Sequence, residues 1–87
     1  MIKVSFSRNF KKKLKNLSKK TRLQFYERLG IFVIDKYNPI LKNHQLNGDY
    51  EGSRSINIAG DLRAIFDDYG DIVIFINIGD HHQLYGK

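Results

Sequence analysis

The run Ile72-Val73-Ile74-Phe75-Ile76-Asn77-Ile78 decides the fold. Apart from Asn77 it is all β-branched or aromatic, the composition of a strand. Strict alternation puts Val73, Phe75 and Asn77 on one side and Ile72, Ile74, Ile76 and Ile78 on the other. A strand that is apolar on both sides belongs inside a sheet, where neighbours cover both faces and both edges. Gly79 ends it, and Tyr69-Gly70, set among acids, predicts a hairpin turn before it. Upstream of that turn, residues 62–66 form another apolar run. Residues 54–58 alternate with Ile56 and Ile58 on one face, and Ala59-Gly60 connects the two. Residues 38–52, with His44, Gly48 and Gly52, are polar and irregular and read as loop.

The N-terminal part has a different period. Residues 2–6 alternate as a half-buried strand does, with Ile2, Val4 and Phe6 on one face. Ser7 offers an N-cap for a helix starting at Arg8, in which Phe10, Leu14 and Leu17 make one apolar stripe. Ser18 is a second N-cap. Leu23, Tyr26, Leu29, Phe32 or Val33, and Tyr37 continue a helical period to about residue 37, where Pro39 ends it. Gly30 weakens this helix by about 1 kcal/mol relative to alanine and is expected to allow a close backbone contact. The expected architecture is α+β in the order β-α-α-β-β-β, a helical hairpin packed on a small, mainly antiparallel, twisted sheet. The whole of residues 1–87 is expected to be one domain.

Composition narrows the function. The chain has 87 residues and no cysteine, which excludes a disulfide scaffold, a thiolate metal site and a cysteine nucleophile. No apolar run is long enough for a membrane span and no leader pattern opens the chain, so a soluble cytoplasmic protein is expected. The net charge of +6 hides an asymmetry: residues 1–30 carry +9 and residues 31–87 carry −3. A half-chain of that charge attracts polyanions, nucleic acid above all; the plainer reading is a solvated helix surface.

His44, Arg54, Asp61, Arg63, His81 and Tyr85 form the constellation that could carry chemistry. Arg54 and Arg63 lie on the middle strands and His81 and Tyr85 at the end of the last one, so that one sheet face is expected to gather all four. His44 and Asp61 come from bordering loops. Arginine binds phosphate oxygens through paired hydrogen bonds, histidine exchanges protons near neutrality, and tyrosine stacks on bases. The set suits phosphodiester cleavage in RNA, where the 2′-hydroxyl is the nucleophile and neither metal nor cofactor is needed. His81 and His82, adjacent on an extended chain, are expected to point to opposite sides. The alternative is that Arg54 and Arg63 are solvent-facing strand residues paired with Asp61, Asp67 or Asp68.

With these residues in place, the chain resembles the RelE/ParE superfamily of toxins from bacterial toxin–antitoxin modules, in particular the YafQ branch. The resemblance rests on His44-Gln45-Leu46-Asn47-Gly48, on residues 52–66 with Gly52, Arg54, Asp61 and Phe66, and on Gly79-Asp80-His81-His82-Gln83-Leu84-Tyr85. It implies a metal-independent endoribonuclease that cleaves ribosome-bound mRNA. Such a toxin is monomeric when free and bound in a hetero-oligomer by a cognate antitoxin. It further implies His81 as the principal acid/base with His44 and Asp61 as partners. Arg63, with Arg54, would bind phosphate and Tyr85 would orient the nucleotide. Lys11, Lys12, Lys13, Lys15, Lys19 and Lys20 would grip ribosomal RNA. The chain departs from the branch at Asn57, where a histidine is usual, and at Leu62, where an aromatic is. The alternative functions within the resemblance are a ParE-like topoisomerase inhibitor and a non-catalytic binding relic.

Overall fold

The computed structural model describes residues 2–86. Strand β1 (Lys3–Phe6) leads into helices α1 (Arg8–Asn16) and α2 (Lys19–Ile34). A 3-10 turn (Pro39–Leu41), strand β2 (His44–Gln45) and a second 3-10 turn (Gly48–Tyr50) follow. Strands β3 (Arg54–Ala59), β4 (Leu62–Asp68) and β5 (Ile72–Gly79) and the short helix α3 (His81–Tyr85) complete the chain. The sheet has five strands in the order β1-β5-β4-β3-β2. Only the β1–β5 pair is parallel; the others are antiparallel.

The expected α+β architecture is the one observed, with β5 inside the sheet. The segment expected to be loop also holds β2 and two 3-10 turns. They are short because Pro39, Gly48 and Gly52 interrupt the chain between residues 39 and 52, and Gly48 and Gly52 have positive φ. The tail past Gly79 is helical instead of extended. Asp80 accepts from the Gln83 N–H while the Gln83 side chain accepts from the Asp80 N–H, a reciprocal cap that starts α3.

Both predicted caps at the N-terminal helices are present. The Ser7 hydroxyl accepts from the Phe10 N–H at 3.1 Å and Ser18 from the Thr21 N–H at 3.2 Å. Helix α1 lays Phe10 and Leu14 on the core, and Leu17, its extended C-cap residue, packs there as well. Helix α2 departs from the sequence reading in three ways. It ends at Ile34, because Asp35 turns the chain by accepting from the Tyr37 N–H, and Asn38 then caps the Pro39 turn. Its buried face is Phe25 and Phe32 with Leu29 between them, while Leu23, Tyr26 and Ile34 are exposed. Apolar residues stand on several sides of this helix, so periodicity alone did not identify the inner one. Gly30 meets nothing, since a Cβ there would find no atom within 4 Å.

The helices cover one face of the sheet. Phe10, Phe25 and Phe32 pack there on Ile56, Ile58, Ala64, Phe66, Val73, Phe75 and Ile78. Strand β5 does not alternate throughout. Ile65 pairs with Asn77 but its neighbour Phe66 pairs with Phe75, leaving Ile76 as an unpaired bulge residue. Beyond the bulge the sides exchange. Ile78 joins Val73 and Phe75 on the helix side, and Asn77 moves to the opposite, outer face beside Ile65, reversing its expected side.

Two outcomes test this account. Phe25→Ala is expected to cost about 3–5 kcal/mol in urea denaturation, against less than about 1 kcal/mol for Leu23→Ala. The second concerns Asp68, which pairs with Lys36 at 2.9 Å with 14% of its side chain exposed. Burial by itself raises the Asp68 pKa. The hydrogen bonds from Lys36 and the Gly70 N–H, with the charges of Lys36 and Arg54, outweigh burial and hold it below 3.8. A depressed carboxylate stabilises the fold above its unfolded pKa, and that stability is lost as pH falls through the folded value. Asp68→Asn is therefore expected to lower stability at neutral pH, with the gap to wild type closing as pH falls below about 4.

Candidate functional site

The outer face is built by parity. Cross-strand partners in an antiparallel pair share a face. His44 opposite Ser55, Ser55 opposite Ile65, Asn57 opposite Arg63, and Arg63 opposite Gly79 therefore all stand on the side away from α1 and α2. A small second core of Leu46, Ile65 and Leu84, with Tyr50, Ile76 and Tyr85 against it, anchors α3 on this face. Gly79 lies beneath that helix. A Cβ added there would come within 2.9 Å of Gln83 Oε1 and 3.1 Å of Gln83 Cβ.

Helix α3 then decides where the histidines stand. Positions 81 and 85 are one turn apart and share a side. The His81 ring sits 4.8 Å from the Tyr85 ring, and Tyr50 meets Tyr85 edge-on at 5.7 Å. His82 falls about 100° around the helix from His81, instead of on the opposite side as an extended chain would put it. Asp61, in the β3–β4 turn, accepts the His81 backbone N–H at 3.2 Å, and its carboxylate lies 4.0 Å from the Arg63 guanidinium. Asp61 thus ties the first residue of α3 to the β3–β4 turn. Asn57 donates to the Gly60 carbonyl at 3.0 Å and closes the same turn.

His44 belongs to strand β2 instead of a loop. Its Nδ1 lies 2.8 Å from the Lys42 carbonyl. A carbonyl only accepts, so Nδ1 carries the hydrogen and the neutral ring offers Nε2 as a proton acceptor. Arg63 is about one-third exposed, and among the described residues nothing accepts from its Nε. The outer face thus collects His44, Arg63, His81 and Tyr85, with Asp61 at its border.

Arg54 is not among them. It pairs with Phe66 and shares the helix side with Ile56 and Ile58, the parity that the alternation of 54–58 already contained. Its Nε donates to Asn43 Oδ1 at 2.8 Å and its guanidinium lies over the Tyr37 ring at 5.7 Å. The lysines divide as well. Lys11, Lys12, Lys15, Lys19 and Lys20 are exposed, whereas Lys13 is half-buried and donates to Asn77 Oδ1 at 2.7 Å. Tyr50 and Asn77, joined by a hydrogen bond on this face, are candidates that the sequence reading missed. Asn77 had a signal, as the lone polar residue in an apolar strand; Tyr50, in an irregular segment, had none. No group of three or more His, Asp or Glu residues among those described is arranged to hold a metal ion.

The sequence over residues 2–86 matches the family described as bacterial toxin of type II toxin–antitoxin system, YafQ. No curated protein matches significantly. The fold is similar to the crystal structure of YafQ from Escherichia coli strain BL21(DE3), with TM-score 0.79 and 20% identity, covering 99% of this chain and 100% of that one. It is similar to YafQ in the E. coli DinJ–YafQ toxin–antitoxin complex, with TM-score 0.76 and 21% identity over 98% of both chains. It is also similar to a chain of the heterotetrameric YoeB–YefM toxin–antitoxin complex of Staphylococcus aureus. There the TM-score is 0.74 at 18% identity, covering 93% of this chain and 98% of that one.

The seat of α3 is directly testable. Gly79→Ala is expected to displace Gln83 and break its half of the cap, costing about 1 kcal/mol. Amide exchange at Gln83 and Leu84 should accelerate several-fold while exchange in β4 stays slow.

Proposed function

The chain belongs to the YafQ family of bacterial type II toxin–antitoxin toxins, and from that premise we propose that it is an endoribonuclease cleaving ribosome-bound mRNA. The observation that carries this reading is the gathering of His44, Arg63, His81 and Tyr85 on one sheet face from three separate elements. Each supplies a group that in-line cleavage needs, and together they need no metal or cofactor.

In the proposed reaction His44 Nε2 takes the proton of the ribose 2′-hydroxyl, and the O2′–P bond forms as the P–O5′ bond breaks. His81, as imidazolium, gives a proton to the departing O5′. The products are a 2′,3′-cyclic phosphate and a 5′-hydroxyl end. Arg63, weakly held at 4.0 Å from Asp61, turns its donors to the non-bridging oxygens as negative charge builds on them. Tyr85 and Tyr50 offer ring faces for a base. Asp61 positions His81 through the backbone. Asn57 closes a turn instead of exchanging protons, leaving the acid–base work to the two histidines.

The exposed lysines of α1 and α2, Lys11, Lys12, Lys15, Lys19 and Lys20, suit the phosphate backbone of ribosomal RNA. Similar toxins form complexes with the antitoxins DinJ and YefM. We assign this chain an antitoxin partner of its own and a cytoplasmic site of action. No helix among the described residues is long and apolar enough to cross a membrane.

Induction of wild type, His44→Ala and His81→Ala, followed by mapping of mRNA 5′ ends, tests the reading. Wild type is expected to create new 5′-hydroxyl ends, and each variant to cleave at least 100-fold more slowly. Equal cleavage by wild type and variants would overturn the assignment. Growth arrest with intact mRNA and failing DNA supercoiling would indicate topoisomerase inhibition instead.

A further inference from the structure

A cavity of about 430 Å³ lies between α1 and the end of β5, lined by Lys13, Asn16, Leu17, Ile78 and Gln83. Its volume is in the range that holds a nucleotide-sized group. We propose that it is a subsite for an RNA phosphate neighbouring the scissile one, with the Lys13 ammonium as its ligand and Asn77 as the residue that positions Lys13. The proposal rests on the chain being an RNA nuclease and extends the site beyond the residues that serve cleavage.

Three observations support it. Lys13 differs from the other lysines of the hairpin: its Nζ is held 2.7 Å from Asn77 Oδ1, and the Asn77 side chain is itself fixed on several sides. Asn77 Oδ1 also accepts from the Ile78 N–H at 2.9 Å and from Asn9 at 3.4 Å, and Asn77 Nδ2 donates to Tyr50 Oη at 2.8 Å. Asn77 is only 9% exposed. The ammonium therefore has a set position at the cavity wall, whereas a lysine free in solvent does not.

The charge of Lys13 also lacks a counter-ion. Among the described residues no carboxylate lies within 4.0 Å of it, and its acceptor is a neutral carboxamide that uses one of three N–H donors. A half-buried cation in this condition favours an anion in the adjoining space. The anion is a phosphate of a strand already engaged at Arg63. Asn77 and Arg63 share the outer face as diagonal neighbours, because Arg63 pairs with Gly79 two residues on. Diagonal positions are roughly 7–8 Å apart at Cα, a separation that one nucleotide step spans. Lys13 and Gln83 of α3 line the same cavity, and Arg63 lies beside Asp61, which holds the His81 N–H, so the proposed strand would meet one cation near each end of the helix's first turn.

The test is a titration of the 15N-labelled full chain with a 2′-O-methylated RNA trinucleotide, which binds but cannot be cleaved. Shifts are expected at the Asn77 and Gln83 side-chain amides and the Ile78 N–H. Lys13→Gln should weaken affinity at least fivefold. Lys3→Gln, the same charge loss at an exposed position of β1, should change it less than twofold. Asn77→Asp keeps an oxygen for Lys13 but adds a counter-charge, and should weaken binding as much as Lys13→Gln. Shifts confined to His81 and Arg63, with unchanged affinity in Lys13→Gln, would overturn the proposal. So would a Lys13→Gln protein that loses affinity for ribosomes alone. Lys13-dependent trinucleotide binding in a protein that cleaves no mRNA would uphold the subsite and overturn the nuclease reading.

Discussion

The Phe75 ring is the constraint on which the rest of the structure depends. It packs against Phe6 from β1, Phe10 from α1, Phe25 and Phe32 from α2, and Phe66 from β4, with centroids 5.4–5.9 Å apart. Both long helices and the two strands that flank β5 thus touch one side chain on it. Aromatic pairs at this separation add to the burial of their own area, and a cluster shared by two helices and three strands couples the elements into one cooperative core. It also sets parity. With Phe75 facing the helices, each neighbour in register is assigned a side, and the outer face is what remains.

One residue later the bulge at Ile76 changes that assignment. Without it Asn77 would face the phenylalanine cluster, where its carboxamide would need partners that a core of rings and aliphatic chains does not offer. With it, Ile78 fills the core and Asn77 reaches Tyr50 on one side and α1 on the other. The bulge coincides with the end of β1, whose pairing with β5 stops at Phe75. Past that point α1 takes over the open edge: Ser7 Oγ and Asn9 Nδ2 both donate to the Ile76 carbonyl, at 3.2 and 3.1 Å. The edge is satisfied by side chains of a helix instead of by another strand.

These particulars explain what the sequence could and could not disclose. The caps at Ser7 and Ser18, the stripe of α1, strands β1, β3, β4 and β5 and the hairpin turn at Tyr69-Gly70 are local signals, and local reading found them; the two-residue β2 was too short to show a period. The inner face of α2 was not local: Phe25 and Leu23 are equally apolar, and only the position of Phe75 decides which is buried. The Ile76 bulge was invisible for the same reason, since the register of β4 against β5 creates it. Motif order brought His44, Asp61, Arg63, His81 and Tyr85 forward as a set. Whether they meet is a matter of parity, which separates Arg54 from Arg63. Helix α3 was hidden by its length, because a five-residue helix has no period to read. Its signal was the cap pair Asp80 and Gln83.

The charge asymmetry takes on a structural meaning in this arrangement. The +9 of residues 1–30 lies mostly on α1 and α2, on the side of the sheet opposite to His44, Arg63 and His81. A polyanion attracted by the helices would stay on the face away from the histidines if the two surfaces did not meet. They meet where α1 covers the edge of β5, and there the basic surface turns the corner through Lys13 onto Asn77. The feature that satisfies an open strand edge is therefore also the feature that joins the basic helical surface to the face carrying the histidines. The bulge that core packing imposes at Ile76 makes the junction possible, because it presents Asn77 outward where Asn9 and Lys13 of α1 reach it.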